Sequence, residues 1–134
     1  MRVASAQLAI DPSRSFDANV AAIVAFIAEA RAKGVELIVF PEAALTTYVV
    51  PLVERSVHSV EGREQLSKAE RTVCDACREH GVAAVIGMPF VDTISGECYN
   101  SACVIDETGR VVGRHHKMQL VRPDESWSVA GTAV

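Results

Sequence analysis

The stretch LIVFPEAALT, residues 37–46, decides how this chain is read. Leu37, Ile38, Val39 and Phe40 make a short, largely branched apolar run that suits a buried strand. Pro41 stops it, because a residue without an N–H cannot continue a ladder. Glu42 follows at once, and the chain then turns apolar again through Leu45. In open α/β sheets, functional groups collect outside the carboxyl ends of the strands, and Glu42 stands at such an end. Partly desolvated by Phe40 and Leu45, it could serve as a general base. The plainer alternatives are a helix N-terminal carboxylate or a surface turn residue.

Working outward, the flanking segments alternate strand and helix. Residues 3–10 alternate loosely and end at Asp11-Pro12, as a strand entering a turn does. Apolar residues then fall at 16, 20, 23, 24 and 27, the spacing of one helical face; Ser13 or Ser15 could cap this helix, and Gly34 ends it. Residues 43–61 show no clear period and are expected to form a long loop with short local structure. A second helix fits 63–80, with Leu66, Ala69, Val73, Ala76 and Cys77 on one face and Gly81 as its stop. Strands are expected over 82–90, 99–105 and 110–115, separated by turns at 92–96 and 106–109. The order β-α-β-α-β followed by a meander implies an α/β fold whose mainly parallel sheet has an antiparallel edge.

The chain has 134 residues, 49% of them hydrophobic and 22% charged, with mean hydropathy +0.19. So short a chain buries only about two-thirds of its unfolded surface. This apolar content is therefore expected of part of something larger, an oligomer or a longer polypeptide. A net charge of −4 argues against nucleic acid as a partner, since phosphate binding needs clustered Lys and Arg. No run approaches a membrane span. The opening MRVASAQLAIDPS looks like a first strand and not an export signal, so a cytoplasmic location with reduced cysteines is expected.

Lys117, in GRHHKMQL, lies just past the last predicted strand. A lysine there can stabilise a developing oxyanion or pair with a carboxylate such as Glu42; a solvated turn lysine is the alternative. His115 and His116 are adjacent, so a strand points them to opposite faces and they cannot readily chelate one metal together. Cys74 and Cys77 have zinc-ligand spacing, and Cys98 and Cys103 form a second pair. A continuous helix and a strand interior are poor places for the two halves of a zinc site, so no metal is expected. Each cysteine reads as a small buried hydrophobe.

FPEAALTTY resembles the first catalytic block of the nitrilase, or carbon–nitrogen hydrolase, superfamily. RHHKMQL resembles its lysine block, and YNSACVIDETGRVVG, residues 99–113, resembles the strand–turn–strand before that lysine. The opening RVASAQLAIDP also has the family's look. These blocks run in order across essentially the whole chain, which is more specific than any one of them alone. The resemblance implies the first half of an α-β-β-α sandwich, with residues 1–134 a single, incomplete domain.

It also implies a Glu–Lys–Cys triad acting by acyl transfer on a small amide or related C–N bond. By position, Glu42 matches the glutamate base and Lys117 the lysine. Glu125, eight residues after Lys117, matches a second glutamate that positions the substrate or the lysine. Tyr48 matches a tyrosine that lines the acyl pocket. No cofactor is implied. The family's nucleophilic cysteine lies further along than this sequence extends, so the isolated chain is expected to be inactive, with one sheet edge and an apolar face uncovered. Self-association into a homo-oligomer is the corresponding expectation. Two other readings differ in class. One is a non-catalytic half-domain that pairs with a full-length relative. The other, a flavodoxin-like domain, lacks a glycine-rich phosphate loop, since Asp11-Pro-Ser-Arg follows the first strand.

Overall fold

The structure, a computed structural model, describes residues 1–9, 11 and 13–132. Five strands form one sheet in the order β1-β2-β3-β4-β5: β1 (Val3–Ser5), β2 (Leu37–Val39), β3 (Ala83–Val91), β4 (Cys98–Ile105) and β5 (Val111–His116). The β1–β2 and β2–β3 pairs are parallel, and β3–β4 and β4–β5 are antiparallel. This is the α/β fold expected from the sequence, with its helices supplying the parallel crossovers. The first strand is shorter than predicted, ending at Ser5, and Ile10 and Pro12 lie outside the described residues.

Helix α1 (Phe16–Ala32) starts as its sequence dictates: the Ser15 hydroxyl accepts the Ala18 N–H at 3.2 Å. Gly34 beyond its end has φ +68°, a conformation that suits glycine. The segment expected as a loop contains a nine-residue helix, α2 (Val50–His58), with Pro51 in its first turn and Val53 and Val57 buried. Helix α3 (Val60–His80) begins three residues earlier than predicted, because the Ser59 hydroxyl caps it by accepting the Gly62 N–H at 2.9 Å.

The register explains which face is core. Ile38, Ala84 and Ile105 stand in line across three strands, as do Ile86 and Cys103 across two. All are buried with Ile23, Ile27, Val73 and Cys77 of α1 and α3. The alternate positions Val39, Val85, Ala102 and Val104, on the other face, are only half-buried. One face thus carries the helices, and the other presents a partly exposed apolar surface.

The segment after β2 crosses β3 closely. Phe40 N–H donates to Val85 O at 2.8 Å and Ala44 N–H to Gly87 O at 2.7 Å. Residues 41–43 therefore arch over Gly87, where a Cβ would lie 2.4 Å from Pro41 O and 2.6 Å from Glu42 Cα. Those neighbours are backbone atoms and cannot swing aside. Gly87→Ala is expected to destabilise the protein by about 1–3 kcal/mol through overpacking and to shift the arch that carries Glu42. An unchanged urea midpoint would show that the arch tolerates a side chain beneath it.

Candidate active site

Four side chains meet where the arch, β4 and the segment after β5 converge. The arch is fixed at its far side by Asn19 of α1, whose Nδ2 donates to Leu45 O at 3.0 Å. Ala43, Thr47 and Tyr48 have positive φ values of 50°, 48° and 60°. Such values are uncommon outside glycine and cost most at a branched residue such as Thr47. This local cost is borne in the turn that presents Glu42 and Tyr48.

Lys117 is the first residue past β5. Its N–H donates to Asn100 O at 2.8 Å, which extends the β4–β5 ladder by one bond and sets its side chain on the face shared with Asn100. His116, one residue earlier, points the other way. Its ring stacks against Tyr99 at 4.2 Å and Phe90 at 5.5 Å, and its Nδ1 lies 2.7 Å from the Ser101 hydroxyl. The opposite facing expected of His115 and His116 follows from the strand.

Glu125 lies in the turn after Lys117 and is 0% exposed. A buried carboxylate must be satisfied or it is costly. Here Oε2 accepts the Val121 N–H at 2.5 Å, while Oε1 accepts Asn100 Nδ2 at 2.6 Å and faces Lys117 Nζ at 3.1 Å. Burial alone would push this carboxyl up; the Val121 N–H, the Asn100 amide and the Lys117 ammonium outweigh it and hold it below the usual glutamate range. Lys117 Nζ also donates to Glu42 Oε1 at 2.7 Å. That bond leads the groups that lift the lysine above its ordinary value, so it stays an ammonium.

Glu42 differs from Glu125. Its side chain is 46% exposed, so the desolvation expected from Phe40 and Leu45 is not found: those two are buried beside it without covering it. Its Oε1 accepts from both Lys117 and Asn100, the latter at 2.5 Å. Among the described residues no donor engages Oε2. Of the two carboxylates, only Glu42 therefore keeps an oxygen free to take a proton. Tyr48 lines the same small cavity as Glu42. Burial, then the negative charges of Glu125 and Glu42, raise the hydroxyl of Tyr48.

A cavity of about 100 Å³ adjoins the site, lined by Leu8, Pro41, Glu42, Ala44, Thr47 and Tyr48. Larger hollows of about 480 and 650 Å³ lie along α3, lined by neither Lys117 nor Glu42. The ion set, and not the volume, marks the site.

Glu42, Lys117, Glu125 and Tyr48, each singled out in the sequence, are thus gathered in one place. Asn100 was missed. The signal available was the one amide in the strand CYNSACVI, and nothing linear connects it to Glu42, 58 residues away. The cysteines stand apart from this set. Cys77, Cys98 and Cys103 are buried and Cys74 is half-buried. Burial pushes the Cys77 thiol up to about 12 and Cys103 up to about 11, and raises Cys74 and Cys98. Reactive thiols have the opposite environment. Among the described residues, no group of three or more His, Cys, Asp or Glu side chains is placed to hold a metal ion.

Comparison with known proteins adds the following. The carbon-nitrogen hydrolase family profile matches residues 2–133. An arylacetonitrilase of Aspergillus niger is 32% identical over 100 residues, covering 69% of this chain and 29% of the relative. An aliphatic nitrilase of Rhodococcus rhodochrous is 32% identical over 113 residues, covering 77% of this chain and 30% of the relative. Among solved structures, an amidase from Nesterenkonia sp. superposes with a TM-score of 0.84 at 26% identity, over 99% of this chain and 49% of that one. One structure of a mutant of that amidase shows acrylamide joined to the active-site cysteine by Michael addition, and another holds butyramide. This chain spans about half the length of the amidase and about three-tenths of the two nitrilases.

Proposed function

This chain belongs to the carbon–nitrogen hydrolase family, and from that premise we propose that it supplies the base and the lysine of a site that hydrolyses a small amide or nitrile. The observation that carries the reading is the 2.7 Å contact between Lys117 and Glu42 Oε1, 75 residues apart in sequence, which leaves the other oxygen of Glu42 free. In this reading Glu42 Oε2 takes the proton of a cysteine thiol as the sulfur attacks the substrate carbon. For an amide, the C–S bond forms while the C=O electron pair moves to oxygen, and the Lys117 ammonium stabilises that oxyanion. Glu42 then passes its proton to the nitrogen, the C–N bond breaks and ammonia leaves. Water, deprotonated by Glu42, attacks the thioester and releases the acid and the thiol.

Glu125 is not a base in this scheme, because both its oxygens already face donors; it holds Lys117 in place. Tyr48 and the adjoining small cavity form part of the wall for the acyl group. The thiol is proposed to come from outside residues 1–134, since the four cysteines here are shielded and their proton affinity is raised, the reverse of what a nucleophile needs. The isolated chain is accordingly proposed to be inactive.

The test is to incubate the natural gene product with short aliphatic amides and nitriles. Ammonia release with a transient acyl adduct on a cysteine is expected. No ammonia from either class would contradict the reading.

A further inference from the structure

One buried side chain of the ion set takes no part in that hydrolysis. Asn100 is 3% exposed and its amide nitrogen touches both carboxylates. We infer that Asn100 is a positioning residue: its side-chain amide, donating to Glu42 Oε1 at 2.5 Å and Glu125 Oε1 at 2.6 Å, holds the two carboxylates on either side of the Lys117 ammonium.

The physical need is plain. Two carboxylates and one ammonium leave a net charge of −1 in a partly enclosed space, and Lys117 alone must serve both partners. A second lysine would neutralise the set and bind the remaining oxygen of Glu42. An amide supplies two N–H donors without charge. It satisfies Glu125, which has no access to water, and engages only Oε1 of Glu42, so that Oε2 stays free. The backbone locks this arrangement, because the same residue accepts the Lys117 N–H through its carbonyl at 2.8 Å. One residue of β4 thus fixes the lysine by its main chain and both glutamates by its side chain. The kinetic consequence rests on the hydrolase reading; the electrostatic one does not.

The test uses the natural gene product with Asn100→Asp, which keeps the shape but replaces the donor by an acceptor, and Asn100→Ala. Thermal unfolding, the pH dependence of amide turnover, and a carbon-13 carboxyl titration of Glu125 are measured on each. Both variants are expected to fold. Misplacement of the base lowers kcat by about a hundredfold, with KM changing little. The acid limb of the pH–rate profile moves to higher pH, furthest in Asn100→Asp, where a third carboxylate joins the set. The Glu125 titration moves up in both variants, because a hydrogen bond to its charged form has been lost. Folded variants with an unmoved acid limb and an unmoved Glu125 titration would overturn the inference, and so would two variants that fail to fold, since Asn100 would then be structural. If the unmodified protein hydrolyses nothing, the Glu125 titration alone decides. An upward shift keeps the positioning role while the hydrolase reading fails.

Discussion

Replacing Glu42 with Gln in the natural gene product is expected to lower amide turnover by about two to four orders of magnitude while leaving the fold intact. The expectation comes from the asymmetry of the carboxylate. Oε1 is held by two donors, Lys117 Nζ and Asn100 Nδ2, whereas no donor among the described residues engages Oε2. A glutamine in that place turns its carbonyl oxygen to the two donors and its NH2 outward. The hydrogen bonds survive, weakened by loss of charge, and the side chain is exposed enough that little stability is at stake. What is lost is the acceptor, because an amide cannot take the proton of a thiol or of water. Turnover within about threefold of the unmodified protein, with an unchanged unfolding midpoint, would remove Glu42 from the role of base, since a general base contributes far more than that.

Lys117→Met should cost both rate and stability. The variant keeps the length of the side chain and removes the ammonium that faces Glu42 at 2.7 Å and Glu125 at 3.1 Å. Removing one partner of a fully buried pair typically costs about 3–5 kcal/mol. Lys117 is 29% exposed, so solvent screens part of that, and about 2–3 kcal/mol is the expected loss near neutral pH. The pH dependence fixes the cause. In the unmodified protein the Glu125 carboxyl is held below its ordinary value, so its contribution is present above the unfolded carboxylate range and is lost as pH falls through the lower folded value. Lys117, raised above its ordinary value, contributes below the unfolded lysine range and loses that contribution only as pH rises through the folded value. The penalty of the variant is therefore largest near neutral pH and shrinks toward the carboxylate range, where protonation relieves the repulsion left behind. A penalty that stays constant across that interval would mean that packing of the lysine stem, and not its charge, is what was lost.

Much of this arrangement was legible before any coordinates. A short apolar run ended by Pro41 places Glu42 at a strand end in any α/β fold, and the change from Val111 and Val112 to a cationic cluster marks Lys117 as the exit from another strand. Glu125 rested on resemblance alone; its burial goes with the turn that folds back to the Val121 N–H, which no linear pattern announces. Helix α2 was passed over because nine residues give too short a window for a 3.6-residue period, although Pro51 in its first turn is a start signal. The desolvation expected of Glu42 failed for a different reason. Phe40 and Leu45 are its neighbours in sequence, but the arch turns both into the core and leaves the carboxylate outside. Asn100 became visible only through pairing, since its significance lies in the β4–β5 register that sets it beside Lys117 and in the arch over Gly87 that brings Glu42 to it. Residues that act through a partner on another strand carry no signature in their own segment.

The intact mass of the natural gene product during turnover of a short aliphatic amide, followed by peptide mapping of any added acyl group, tests whether Glu42 and Lys117 serve a thiol nucleophile. An acyl adduct is expected on a single cysteine outside residues 1–134, formed by the unmodified protein and formed far more slowly in Glu42→Gln. An acyl group on Cys74, Cys77, Cys98 or Cys103, or ammonia release with no thioester at any stage, would contradict this expectation.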